Sequence, residues 1–148
     1  MMTVKRLLKD KGAHVWVATP EMPVFEALQL MADKDIGALV VVEKGELLGI
    51  FSERDYARKV ILKGKASRNT PVKEIMTAKV FTVRPQQTAS ECMAIMERNR
   101  IRYLPVLEAG KLVGILSIGD VLQAVISEQA ETLNQLENTT PGTSLLDS

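Results

Sequence analysis

Two seven-residue stretches hold the residue types with the clearest chemistry. Gly49-Ile50-Phe51-Ser52-Glu53-Arg54-Asp55 and Gly114-Ile115-Leu116-Ser117-Ile118-Gly119-Asp120 share one pattern: Gly, two apolar residues, Ser, two variable residues, Asp. A Ser followed three positions later by an acidic residue marks a helix start, because each side chain satisfies a backbone N–H of the other. The same pair can also present a hydroxyl and a carboxylate at the edge of a site. A carboxylate accepts hydrogen bonds from the vicinal hydroxyls of a ribose. Helix N-terminal amides and a Ser hydroxyl suit an adjacent phosphate. The Asp therefore points to the sugar, since it would repel a phosphate, and the apolar strand residues suit a flat adenine. The neighbouring glycine allows close approach.

The two motifs occupy one structural position, because the chain repeats itself. Val15 to Ile61 recurs without a gap as Val80 to Ile126, with about a third of the aligned residues identical. Such self-similarity defines architecture before any single motif does. Val15-Trp16-Val17 reads as a brief strand stopped by Thr19-Pro20, and Pro23 opens a helix with Ala27, Leu28, Leu30 and Met31 inward. Ala38 to Val42 and Leu47 to Phe51 read as a hairpin about Glu43-Lys44-Gly45-Glu46. Ser52 starts a helix with Tyr56, Val60 and Ile61 on one face. The second copy follows suit: a strand at Val80 to Val83, a helix carrying Cys92, Met93, Ile95 and Met96, a hairpin of Leu104–Leu107 and Leu112–Leu116, and a last helix from Ser117. Each unit is thus β-α-β-β-α, and the fold class is α/β. The expected divisions are an N-terminal helix over 1–11, repeats over 12–66 and 73–131 with a linker at 67–72 between them, and a disordered tail over 132–148.

At 148 residues, each repeat alone has a marginal core, so the halves are expected to share one. The net charge of +1, without a long Lys/Arg run, argues against nucleic acid and for a small anion held locally. No apolar run approaches a membrane span or a signal peptide, so a cytoplasmic protein is expected. Cys92 is the single cysteine and reads as core. His14 reads as surface, and Trp16, with Phe81 as its counterpart, as core or cleft wall. No nucleophile–base pair, metal cluster or P-loop is present, so no catalysis and no metal are expected.

Together the doubled β-α-β-β-α pattern, the two Gly-h-h-Ser-x-x-Asp motifs, Ile75-Met76-Thr77, and Ile101-Arg102-Tyr103-Leu104-Pro105-Val106 resemble a tandem pair of cystathionine-β-synthase (CBS) domains, a Bateman module. The likeness covers residues 12 to 128. Ser52 to Val60 is similar to small stand-alone CBS pairs. The resemblance implies two repeats packed by pseudo-twofold symmetry and adenosyl ligands, such as AMP, ADP, ATP, NAD(H) or S-adenosylmethionine, in clefts between them. It implies that Ser52 and Asp55 face Val80, Arg102, Tyr103 and Pro105, and that Ser117 and Asp120 face Val15, Ile36, Gly37 and Ala38. It also implies a homodimer and a regulated protein partner whose identity the chain does not encode.

The two sites are expected to differ. Gly37-Ala38 leaves space where Arg102-Tyr103 brings bulk and charge. Arg54 and Arg58, four apart on a helix, have the uncharged counterparts Gly119 and Gln123. Either the arginines are a solvated face, or the first motif favours a phosphate-rich ligand and the second a less anionic one. The function expected is a non-catalytic sensor of adenylate or redox-cofactor state, the alternative being an interaction module with vestigial sites.

Overall fold

The computed structural model describes residues 1–12 and 14–139. In the first half, β1 (Val17–Ala18) pairs in parallel with β2 (Ala38–Glu43), which forms a hairpin with β3 (Glu46–Ser52). In the second, β4 (Tyr103–Glu108) and β5 (Lys111–Ser117) form the matching hairpin. Both hairpins shift register at the equivalent place, Val41/Val42 and Val106/Leu107. Helices α2 (Val24–Lys34) and α4 (Ala89–Asn99) precede the hairpins. After β3, α3 (Glu53–Asp55) runs straight into a π-helix, Tyr56–Ile61; after β5, α5 (Ile118–Thr139) is α-helical throughout. Ahead of α2 in the chain lies α1 (Val4–Lys11), and ahead of α4 a 3₁₀ turn, Val72–Glu74.

The strand expected at Val80 to Val83 is reduced to a single parallel bridge, Val83 to Val106. Val83 N–H donates to Pro105 O, and Leu107 N–H to Val83 O. The next rung of a parallel ladder would need an N–H at position 105, which proline lacks. Val40 stands at the corresponding place in the first half, and there the ladder forms. Ile61, expected inward with Tyr56 and Val60, is 56% exposed whereas Val60 is buried. The π-helix, with Leu62 N–H donating to Ala57 O, widens the turn and changes the phase. Residues 132–139, expected in a disordered tail, continue α5. After Gly119 that helix meets no Gly or Pro and is rich in Ala, Leu, Glu and Gln. The rest of that tail lies outside the described residues.

Two hydrophobic clusters replace the single shared core, and each borrows from across the chain. The first joins Val24, Met31, Leu39, Phe51 and Val60 to Val72 and Ile75, which lead into the second repeat. The second joins Cys92, Met96, Leu104, Leu116 and Val121 to Met2, Val4, Leu7 and Leu8, which lead into the first. The stretch expected as a linker is thereby tied down: Ser67 O and Thr70 O accept from Phe25 N–H and Val24 N–H, and Val72 N–H donates to Met22 O. The halves are cross-braced by their lead-in segments.

The motif glycines serve this bracing. A Cβ at Gly49 would lie 2.7 Å from Thr77 O, and one at Gly114 would lie 2.6 Å from Leu8 Cδ2. A Cβ at Gly119 would meet only Ser117 Oγ, at 3.7 Å. Gly49→Ala should therefore lower the unfolding free energy by about 1–3 kcal/mol through overpacking against backbone. Gly119→Ala should raise it by about 0.5–1 kcal/mol through helix propensity. Urea denaturation checks the opposite signs.

Candidate functional site

The sharp turn from β3 into α3 places Ser52 and Asp55 at the edge of the first half. Ser52 N–H and Ser52 Oγ–H both donate to Asp55 Oδ2 at 3.0 Å, and Asp55 N–H donates to Ser52 Oγ at 3.2 Å. This is a complete capping box. The other carboxylate oxygen, Oδ1, accepts from Thr77 Oγ1–H at 3.1 Å and pairs with Lys59 Nζ at 3.1 Å. Asp55 is consequently buried. Lys59 Nζ also donates to Ile75 O at 3.2 Å, so the motif grips the segment leading into the second repeat.

A cavity of about 530 Å³ opens beside this box. Of the residues expected around the first motif, Ser52, Arg54, Asp55, Arg58, Val80, Arg102 and Tyr103 line it. Pro105 does not; it is buried in β4 opposite Ile115. The wall also takes in Ile50, Lys59, Thr77, Lys79, Phe81, Arg100 and Ile101, which the sequence reading did not name as site residues. Lys59 lies four residues after Asp55, a spacing that brings two side chains together on one helix face. Arg100 caps the C-terminus of α4 in a left-handed conformation, with φ 53°. The available signal was the charge flanking Val80 and Ile101, at Lys79 and Arg100. The wall carries six cationic side chains, Arg54, Arg58, Lys59, Lys79, Arg100 and Arg102, against the single carboxylate of Asp55. Ile50, Val80, Phe81 and Ile101 make the apolar part.

The second motif builds the same box. Ser117 N–H donates to Asp120 Oδ2 at 2.9 Å, and Asp120 N–H to Ser117 Oγ at 3.1 Å. Its outer partner is different. Lys11 Nζ, at the end of α1, lies 2.5 Å from Asp120 Oδ2 and donates to Ile115 O at 3.0 Å. Burial works to raise the Asp120 carboxyl, and the hydrogen bonds from Lys11 and Ser117 overcome it and hold the group below its usual range. The cavity here is smaller, about 270 Å³, and lies between α1 and α5. Val15, Ile36, Gly37 and Ala38, expected opposite Ser117 and Asp120, are not among the residues lining it. Gly37 and Ala38 stand next to the first motif instead: Glu53 N–H donates to Gly37 O at 3.1 Å, and Ala38 pairs with Ser52. Ile36 packs on the first core, and Val15 is partly buried ahead of β1. The space Gly37 leaves is filled by Tyr103, whose hydroxyl would lie 2.4 Å from a Cβ there. Burial first, and then Glu53, pushes the Tyr103 phenol up.

The CBS-domain family model matches residues 7–62 and 72–127. The chain belongs to the CBS-domain family. It is 40% identical over 144 residues to the mitochondrial CBS domain-containing protein CBSX3 of Arabidopsis thaliana, covering 90% of this chain and 69% of that one. A solved CBS-domain protein from Burkholderia ambifaria is 50% identical with a TM-score of 0.82, over 86% of this chain and 96% of its own. The CBS pair of protein MJ0100, solved in complex with 5′-methylthioadenosine and S-adenosyl-L-methionine, shares the fold at a TM-score of 0.77 and 24% identity, over 86% of this chain and 98% of its own.

Other conspicuous residues of the CBS pair are structural. Cys92 is fully buried in the second core, and burial pushes its thiol up to about 11. Trp16 packs on the first core with Lys34 Nζ 4.3 Å from its ring centre and the exposed His14 at its edge. No helix of the described residues is long and apolar enough to cross a membrane. Asp55→Ala should leave far-UV circular dichroism near wild type yet lower stability by about 1–3 kcal/mol, because it removes a cap and orphans the donors that converge on it. A urea midpoint unchanged from wild type would show that the box contributes nothing.

Proposed function

We propose that this CBS pair is a non-catalytic regulatory module that binds an adenosine polyphosphate, ATP or ADP, in the cavity beside Ser52 and Asp55. The charge of the wall carries the reading: six cations face one carboxylate, and Lys59 already neutralises that carboxylate. Arginines bind phosphate oxygens through paired, charge-assisted hydrogen bonds. Among adenosyl compounds, this wall favours ATP and ADP over AMP or NAD, and disfavours S-adenosylmethionine, whose sulfonium is itself cationic. The apolar wall suits adenine, and Asp55 suits the ribose.

The occupied state of Asp55 supplies a route for signalling. Ribose hydroxyls can reach Oδ1 only by replacing Thr77 or Lys59. Lys59, once released, also frees Ile75 O in the segment that braces the two repeats. Ligand and brace compete for one carboxylate oxygen, so the ligand favours one arrangement of the halves over another. The same saturation of Asp55 favours the second reading, an interaction module with vestigial sites.

Isothermal titration should give ATP and ADP binding at least about tenfold tighter than AMP or S-adenosylmethionine, with affinity falling steeply as salt rises. Asp55→Ala should weaken binding about tenfold or more, and Arg58→Ala should narrow the preference for ATP over AMP. Equal affinity for S-adenosylmethionine would refute the charge argument, and no heat with any adenosyl compound would favour the interaction module. Steady turnover of nucleotide would overturn the non-catalytic assignment.

The module is further proposed to act as a homodimer through α5. Leu122, Ile126, Leu133 and Leu136 are half exposed along that helix, and Ile61, the repeat counterpart of Ile126, is exposed as well. An apolar face marked at equivalent positions of both repeats suits a self-complementary twofold contact. Leu122→Glu with Ile126→Glu should convert a dimer to monomer in sedimentation velocity. A monomeric wild-type protein would refute the contact.

A further inference from the structure

Both Ser-x-x-Asp carboxylates carry a lysine, and the motifs differ in the segment that supplies it. At Asp55 the Oδ1 atom takes Thr77, a short neutral hydroxyl from the lead-in segment, and Lys59 from the motif's own helix, and a large cationic cavity opens beside them. At Asp120 the lysine is Lys11, delivered on a long stem by the lead-in helix α1. Its ammonium satisfies two acceptors at once, Asp120 Oδ2 and Ile115 O. The helix that delivers it is anchored: Leu7 and Leu8 are buried in the second core, Arg6 pairs with Glu131 at 2.7 Å, and Met2 N–H donates to the Glu128 carboxylate. A solvated pair between two flexible side chains contributes little. Here a packed helix holds the lysine in place, so it competes with any free ligand at a high effective concentration.

We infer that Lys11 is a built-in occupant of the second Ser-x-x-Asp motif, closing that half of the module so that the chain binds one ligand rather than two. The chemistry of the closed site follows from its wall. Asp10 and Asp120 outnumber Lys11, no arginine is present, and Gln123 and Ser127 add neutral hydrogen-bonding groups. With Lys11 removed the wall is acidic and repels phosphate. The ligand it would then admit is an adenosyl compound without phosphates, whose ribose hydroxyls take over the bonds of the ammonium to Asp120. The class of ligand rests on the reading given above; the occupancy by Lys11 does not.

The test uses adenosine as the probe, titrated into the full chain in the presence of saturating ATP. Wild type should bind no adenosine that depends on Asp120. Lys11→Met, which keeps the stem and removes the charge, should gain one equivalent, and Lys11→Met with Asp120→Ala should lose it. Lys11→Gln, which keeps a neutral donor, should bind about tenfold more weakly than Lys11→Met. In parallel, carboxyl carbon NMR should show the Asp120 pKa rising in Lys11→Met, with amide spectra of both repeats otherwise retained. Asp120-dependent adenosine binding by wild type, or none by Lys11→Met and Lys11→Gln, would overturn the inference. Failure of the first-site reading would look different: ATP would not bind in an Asp55-dependent way, while the Asp120-dependent gain on removing Lys11 would persist.

Discussion

A carboxylate in each repeat grips the segment that leads into the other repeat, and the rest of the molecule depends on that crossed pair of contacts. Asp55 holds Thr77, and Asp120 holds Lys11. Around these bonds the lead-in segments deliver Val72 and Ile75 to one core and Leu7 and Leu8 to the other. A repeat of this size has only a marginal core of its own. Exchange of lead-ins solves that problem, and the two polar contacts at the cleft edge join apolar packing and backbone hydrogen bonds in holding the exchanged segments. Structure and the proposed ligand recognition would therefore draw on the same oxygens.

This sharing resolves the tension between reading Ser-x-x-Asp as a helix cap and reading it as a ligand site. The cap uses the backbone N–H groups and Asp Oδ2 in the first motif, leaving Oδ1 for a donor from elsewhere. A cap that consumed both oxygens would be inert, and a free carboxylate would not brace the fold. The motif glycines belong to the same economy of space: they admit Thr77 and Leu8 rather than a ligand.

Much of this was legible in the residues. The hairpins, the helices before them and the caps follow from apolar runs, turn residues and the doubled motif. The first cavity gathers seven of the eight residues named around its motif, missing Pro105. Three features were not legible, each for a physical reason. The missing parallel strand depends on which N–H a proline removes at a register no sequence pattern reveals. The π-helix after Asp55, which leaves Ile61 exposed beside a buried Val60, has no periodicity of its own over six residues. The destination of α1 on the opposite repeat is tertiary, so Lys11 could not be placed beside Asp120 from its neighbours in the chain.

The asymmetry between the halves has a direct energetic logic. Both sites descend from one pattern, so any difference in ligand must come from the residues that diverge. In the first half the divergence adds cations at Arg54, Arg58 and Arg102, while Asp55 is held by Thr77 and by Lys59 of its own helix. In the second those cations are absent, and the lysine on the carboxylate comes from α1 instead. Gly37 on one side is matched by Tyr103 filling the gap from the other, so even the space is transferred rather than shared. A charged ligand moving between two equal sites would average its effect over the pseudo-twofold axis. With one half open and cationic and the other held by Lys11 from α1, a ligand bound as proposed would strain a single brace, and the module would respond with a direction.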